Sequence, residues 1–217
     1  LDRLAGLASA NHLSIHAWAF LTNHVHLLIR TGLVSLSRSM HRLLGGYASA
    51  FNARHHRVGY LFQGRFKSIL AQAEPYLREL LRYIHLNPPR AHMVADLDAL
   101  DRYEWTGHAA LVGHHPRPWQ DTDFALRQFG STVGSARSAY RAFVAGGLTR
   151  AAPDLDGGGL RRSQGCWRSV GSLARGRERW AFDERVLGQS ELVAALGADI
   201  EAARPPAAAC SSAHAFV

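Results

Sequence analysis

Residues 13–20 (LSIHAWAF) and 25–30 (VHLLIR) read as two short strands around a turn at Thr22 and Asn23. Both are rich in apolar, β-branched or aromatic residues and the polar pair breaks them, so a hairpin is expected. Successive side chains of a strand point to opposite faces. His24 and His26 therefore project together, while Val25 and Leu27 take the other side. Two imidazoles side by side make a bidentate metal clamp. A chain with 13 histidines also places two at this spacing by chance, so a packed-core reading and a ligand reading both stand at this point.

A chain of 217 residues is long enough for one sizeable core. No apolar run approaches the roughly 18–20 residues that cross a bilayer. With no secretory leader either, a soluble cytoplasmic protein is expected. Cys166 and Cys210 have no C-x-x-C neighbour and suggest neither a disulfide framework nor a thiolate zinc site. Charge says more. The net formal charge is +8, and residues 30–95 hold ten Arg and Lys against two acids, Glu74 and Glu79, while the rest balances at 15 against 15. A basic excess confined to one third of the chain suits a polyanion-binding surface, although a solvated basic face would have the same composition.

Leu1, Leu4 and Leu7 are spaced for a helix over residues 1–10. From Leu36, behind Ser35 as N-cap, the positions Met40, Leu43, Leu44, Tyr47 and Phe51 describe an amphipathic helix that Gly45 and Gly46 weaken. Residues 54–72 (RHHRVGYLFQGRFKSILAQ) read as a basic loop leading into a strand over 66–70. There Arg54, Arg57, Arg65 and Lys67 alternate with Tyr60, Phe62 and Phe66. That mixture grips phosphates and stacks bases of single-stranded nucleic acid, or belongs to an ordinary basic hairpin with its aromatics turned inward. A helix over 75–87 follows: Pro75 suits its first turn, Leu77, Leu80, Leu81 and Ile84 line one stripe, and Pro88 and Pro89 stop it.

On that helix Tyr83 and Asn87 are four apart and share one edge. A tyrosine hydroxyl with a pKa of about 10 is a poor nucleophile at neutral pH. Chemistry on it requires a nearby cation, and imidazole and amide-oxygen ligands suit Mg²⁺ or Mn²⁺. The plain alternative is a half-buried aromatic and a helix C-cap. Residues 97–150 read as an accessory part of the same domain (1–150), with YEW at 103–105 and AYRAFV at 139–144 as packing aromatics. His114 and His115 lie in a Gly/Pro loop and read as solvated. Residues 151–200 read as an extension whose first part is a linker able to touch DNA through Arg161 and Arg162, and 201–217 as a disordered Ala/Pro/Ser-rich tail.

Three stretches, AWAFLTNHVHLLI, GYLFQGRFKSIL and YLRELLRYIHLNPPRAHMV, closely resemble the REP-associated tyrosine transposases, a branch of the IS200/IS605-like single-tyrosine HUH transposases. LDRYEWTGHAALVG is similar to the segment after the tyrosine helix in that family, and DLDGGGLRRSQGCW and DERVLGQSELVAAL to the tail of its longer members, so the likeness spans roughly residues 1–196. The resemblance implies an α+β fold: a ferredoxin-like antiparallel sheet with helices packed on one face, a mostly helical or irregular C-terminal extension, and a homodimer. It implies that His24 and His26 hold the metal with Asn87 as third ligand, and that Tyr83 is the catalytic nucleophile. The implied reaction is attack by the Tyr83 hydroxyl on single-stranded DNA beside a hairpin, giving a 5′-phosphotyrosine link and a free 3′-hydroxyl. Arg54, Arg57, Arg65 and Lys67, with Arg78, Arg82 and Arg90 near the tyrosine helix, are expected to hold the DNA backbone.

Members of the family normally begin with a strand ahead of the helix that starts here at Leu1, and continue into a helix-turn-helix-like region. The chain therefore reads as clipped at both ends, with an exposed sheet edge expected. One rival is a catalytically inactive hairpin-binding remnant that keeps the fold without the metal site. Another, a hydrolase using H-x-H to activate water, needs a longer barrel and further ligands; two-histidine phosphoesterases carry a pair of H-x-[ST] motifs, and this chain has one H-x-H.

Overall fold

In the computed structural model the described residues are 1–150, of which 72–75 as backbone, together with the strand backbone at 186–187 and 213–216. No helix among them is long and apolar enough to cross a membrane. The fold is α+β, a mainly antiparallel sheet with helices packed on it.

The hairpin stands where the sequence puts it. Strands β1 (Leu13–Phe20) and β2 (Val25–Thr31) pair antiparallel from Leu13↔Thr31 to Phe20↔Val25. A register shift between Ile15 and Ala17 turns His16, stacked on Phe124, and Ala17 to one face, while Ile15 and Trp18 face the other. Both faces are covered, not the single face implied by the resemblance. Leu4 and Leu7 of α1 (Asp2–Ser9) and Met40 of α2 (Leu36–Met40) close over Ile15, Trp18, Leu27 and Ile29. On the opposite face α4 (Ala73–His85) lays Leu77, Leu80, Leu81 and Ile84 on Ala17, Ala19 and Leu28. The reason is compositional: this hairpin is apolar on both sides, and each side must be buried.

Ser35 caps α2 by accepting from the Arg38 N–H at 3.4 Å. The helical run then passes through a π-helical turn, His41–Gly45, into α3 (Gly46–Arg54). The glycines that weaken this helix lie at that junction, and the wider turn rotates the apolar stripe. Met40 is buried, whereas Tyr47 is 49 % exposed and stacks on Phe51 and Phe62. Strand β3 (Ile69–Gln72) comes later than the expected 66–70, because Phe66 already packs into the cluster under α1.

Helix α4 ends at His85, two residues before the expected stop, and the prolines do not end helicity: they occupy the first turn of α5 (Asn87–Arg90). Proline lacks a donor and suits a first turn, where none is needed. Helices α6 (Leu97–Asp101), α7 (His108–Val112), α8 (Thr122–Leu126) and α9 (Val133–Ala145) pack outside α4. Residues 97–150 are more than accessory: Gln120 accepts from Trp18 Nε1 at 2.9 Å and donates to the carbonyls of His16 and Gly107, both at 3.2 Å. Bridges Ile15↔Gln120 and Ala19↔Thr106 close the outer edge of β1.

Strand β4 (Val186–Leu187) runs parallel to β3, and β5 (Ala213–Phe216) lies between β2 and β3, in the order β1-β2-β5-β3-β4. An exposed sheet edge was expected; the edge of β2 facing away from β1 is paired with β5 through Leu28↔Phe216 and Ile29↔Ala215. The rest of the extension and tail, with Arg161, Arg162, Cys166 and Cys210, lies outside the described residues.

Candidate active site

The turn from β1 into β2 lifts His24 to the surface and buries His26, which is 8 % exposed. Their Nε2 atoms converge to 3.1 Å, with the rings at 84°. Two cis ligands of an octahedral ion with bonds of about 2.1 Å lie about 3.0 Å apart, so the pair has the separation of a chelate. Asn23 contributes what the sequence reading assigned only to a turn: its Oδ1 is 2.7 Å from His24 Nδ1. A proton on Nδ1 donated to that oxygen leaves the His24 Nε2 lone pair to accept from His26 Nε2 at 3.1 Å, and a metal ion would take the place of that shared proton.

Helix α4 delivers Tyr83 to the same place. Its ring stands edge-on to His26, centroids 5.7 Å apart and planes at 80°, and Tyr83 is 5 % exposed. Asn87, one turn further on, donates Nδ2 to the carbonyls of Tyr83 at 3.0 Å and Ile84 at 3.3 Å. Its nitrogen thus caps α4, and its oxygen is the atom that would serve as a ligand. Among the described residues no group of three or more His, Cys, Asp or Glu side chains could hold a metal ion. An amide oxygen such as that of Asn87 is a further kind of atom that Mg²⁺ or Mn²⁺ accepts as a ligand.

The seven basic candidates divide. Arg54, Arg57, Arg65 and Lys67 are exposed along the loop after α3, where Tyr60 is 98 % and Phe62 39 % exposed, while Phe66 is turned inward. Arg78 and Arg82 pack on the aromatic side of α9: Arg78 lies 4.8 Å from the Phe129 ring and 5.0 Å from that of Phe143. Arg82 covers Phe143 at 4.3 Å and is paired with Glu79. Arg90 alone of the three lies against the tyrosine, 5.9 Å from the centre of its ring.

A second polar assembly went unread. His85, Tyr140, His108 and Asp101 form a buried chain of 2.7, 2.7 and 2.8 Å contacts, continued by Arg141 to the surface. Asp101 accepts from His108 Nε2, so the neutral His108 accepts at Nδ1 from the Tyr140 hydroxyl, which in turn accepts from His85 Nδ1. Burial, and then the neighbouring His108, holds His85 well below the ordinary imidazole pKa; burial also lowers His108, against the opposing pull of Asp101. The one available signal was a histidine in the apolar run LLRYIHL. His115 donates to the Arg102 carbonyl at 3.1 Å, and neither it nor His114 joins the His24–His26 pair.

Residues 2–87 match the family model described as Transposase IS200 like. The match runs from α1 through both histidines and the tyrosine to Asn87, so this part of the chain is similar to a class of DNA-processing, DNA-interacting enzymes. It bears on the broader IS200-like family and not on the REP-associated branch. No curated protein and no solved structure matches the chain.

Proposed function

We propose that the protein is a transposase that cleaves and rejoins single-stranded DNA beside hairpins, through a 5′-phosphotyrosine on Tyr83. The observation that carries this reading is the approach of two distant elements: the edge-on contact of Tyr83 with His26, whose Nε2 is 3.1 Å from that of His24. In the first step the Tyr83 oxygen forms a bond to phosphorus as the bond to the 3′-oxygen breaks. The phenol proton is lost, and the departing 3′-oxygen takes one up. Reversal by the same or another 3′-hydroxyl rejoins DNA, and covalent storage divides the exchange into two near-neutral steps.

His24 and His26, with the Asn87 amide oxygen, would hold Mg²⁺ or Mn²⁺. Such an ion, when bound, supplies positive charge to the phosphate oxygens. The rest falls to the protein. Burial of Tyr83 keeps bulk water from competing with the phenol as nucleophile. The exposed Arg54, Arg57, Arg65 and Lys67 track the DNA backbone, and the outward rings of Tyr60 and Phe62 offer stacking faces to unpaired bases. Kinship to the REP-associated branch and assembly as a homodimer belong to the same proposal and rest on the sequence resemblance.

The test is incubation with a labelled hairpin oligonucleotide and Mg²⁺ or Mn²⁺, followed by denaturing electrophoresis. A denaturant-resistant protein–DNA adduct is expected, and Tyr83→Phe abolishes it. A folded protein that binds the hairpin and forms no adduct with either metal would refute strand transfer and leave a hairpin-binding protein.

A further inference from the structure

We propose that Arg90 is a catalytic residue, its guanidinium holding a non-bridging oxygen of the phosphate that Tyr83 attacks; the inference rests on the function proposed above. Arg90 completes a row. Although α4 and α5 are separate helices, the Leu86 N–H bonds the Arg82 carbonyl at 3.0 Å and the Arg90 N–H bonds the Leu86 carbonyl at 3.1 Å, so the ladder runs on past the break. Tyr83, Asn87 and Arg90 are then at i, i+4 and i+7, one face of a continuing helix. Pro88 and Pro89 stiffen the turn that carries Arg90, and the Asn87 amide ties it back to α4.

Arg90 is placed differently from the other two arginines of this region. Arg82 is paired with Glu79, and Arg78 is held between two aromatic rings. Among the described residues Arg90 Nη1, a buried atom, has no hydrogen-bond partner. Among the described residues no carboxylate acts on the group: burial lowers its pKa, with Tyr83 opposing and Arg82 adding to the decrease. A buried charged donor without an acceptor costs more than a neutral one. Its guanidinium sits over the face of Tyr83, 5.9 Å from the ring centre, beside the side chain proposed to attack the phosphate. Phosphoryl transfer spreads negative charge over the non-bridging oxygens, and a planar fork of N–H donors is the side chain that matches them. The orphaned donor and the developing charge have the same answer.

Two readouts separate this role from general backbone holding and from failure of the parent reading. At saturating hairpin DNA, Arg90→Ala and Arg90→Lys are expected to slow single-turnover adduct formation by about 10²–10³-fold and about tenfold, with DNA affinity changed less than about threefold. The second readout needs neither metal nor cleavage: inorganic phosphate titrated into the protein and followed by ³¹P NMR. Arg90→Ala is expected to weaken this binding by about tenfold, the loss of one charge-assisted contact. Arg127→Ala, at an exposed arginine that follows α8, leaves both readouts unchanged. Melting temperature checks the fold, and Arg90→Lys, which retains the charge and stem, carries the test if Arg90→Ala unfolds. Phosphate binding lost in the arginine variants without any adduct from the parent would uphold the anion site and refute strand transfer. An adduct formed at parental rate by Arg90→Ala, an effect on DNA affinity alone, or phosphate binding indifferent to Arg90 would each overturn the proposal.

Discussion

Asn23 and Tyr140 each make a single hydroxyl or amide decide the state of a histidine. With Oδ1 2.7 Å from His24 Nδ1, Asn23 favours the tautomer that the proposed metal role of His24 requires. Asn23→Ala is expected to weaken Mn²⁺ binding by about 10–100-fold, the usual consequence of losing an outer-shell partner. Because Asn23 is exposed, melting without metal should be unchanged, and a titration that found parental affinity would remove it from the site. Tyr140 is the opposite case, fully buried between His85 and His108 at 2.7 Å from each. Tyr140→Phe orphans one donor and one acceptor, at about 1–3 kcal/mol each, and urea denaturation should register that loss. The two differ in legibility. Residue type and spacing made His24, His26 and Tyr83 candidates and the family resemblance gave them roles, whereas the contacts of Asn23, Arg90 and Tyr140 are with neighbours that spacing does not reveal.

Elements behaved according to how local their causes are. The hairpin and α4 depend on alternation and on a four-residue stripe, and both stand close to the positions read from the sequence. The helix after Ser35 departs because a π-helical turn at His41–Gly45 moves Tyr47 out of the stripe. Gly45 has φ −63° and ψ −44°, ordinary helical values, and a Cβ there would meet nothing within 4 Å. Gly45→Ala should therefore stabilise the protein by about 0.5–1 kcal/mol, through reduced freedom of the unfolded chain. A destabilised variant in thermal unfolding would mean that the turn needs the glycine. Pro88 and Pro89 show the same lesson in reverse: a residue that ends one helix is equally suited to begin the next, and only the packing of α5 selects between them.

Over the whole molecule two fields of charge make separate predictions. The buried chain through His85 and His108 opposes protonation. The unfolded chain takes up protons on both imidazoles as the pH falls through 6.5, while the folded protein resists until lower pH, so stability is full above about 6.5 and declines below it. Asp101, which burial alone would raise, is instead held below its ordinary 3.8 by His108 and Arg141, and adds a second loss in more acidic solution. Urea midpoints that stayed level from about pH 7.5 to 5 would contradict this. The exposed strip at Arg54, Arg57, Arg65 and Lys67 predicts instead a salt effect: neutralising any one of them should reduce the slope of log affinity for single-stranded DNA against log salt by about 0.7. Periodicity, turn residues and charge count determined the hairpin, the tyrosine helix and the basic third of the chain, since each depends on neighbours along the sequence. Only tertiary packing decided that Tyr83 meets His26, that β2 is flanked by β5, and that Arg90 lies at the tyrosine while Arg78 and Arg82 are spent on α9. A repeat pattern states which side of an element a residue occupies, and the partner on that side is settled by how distant segments fill the same volume.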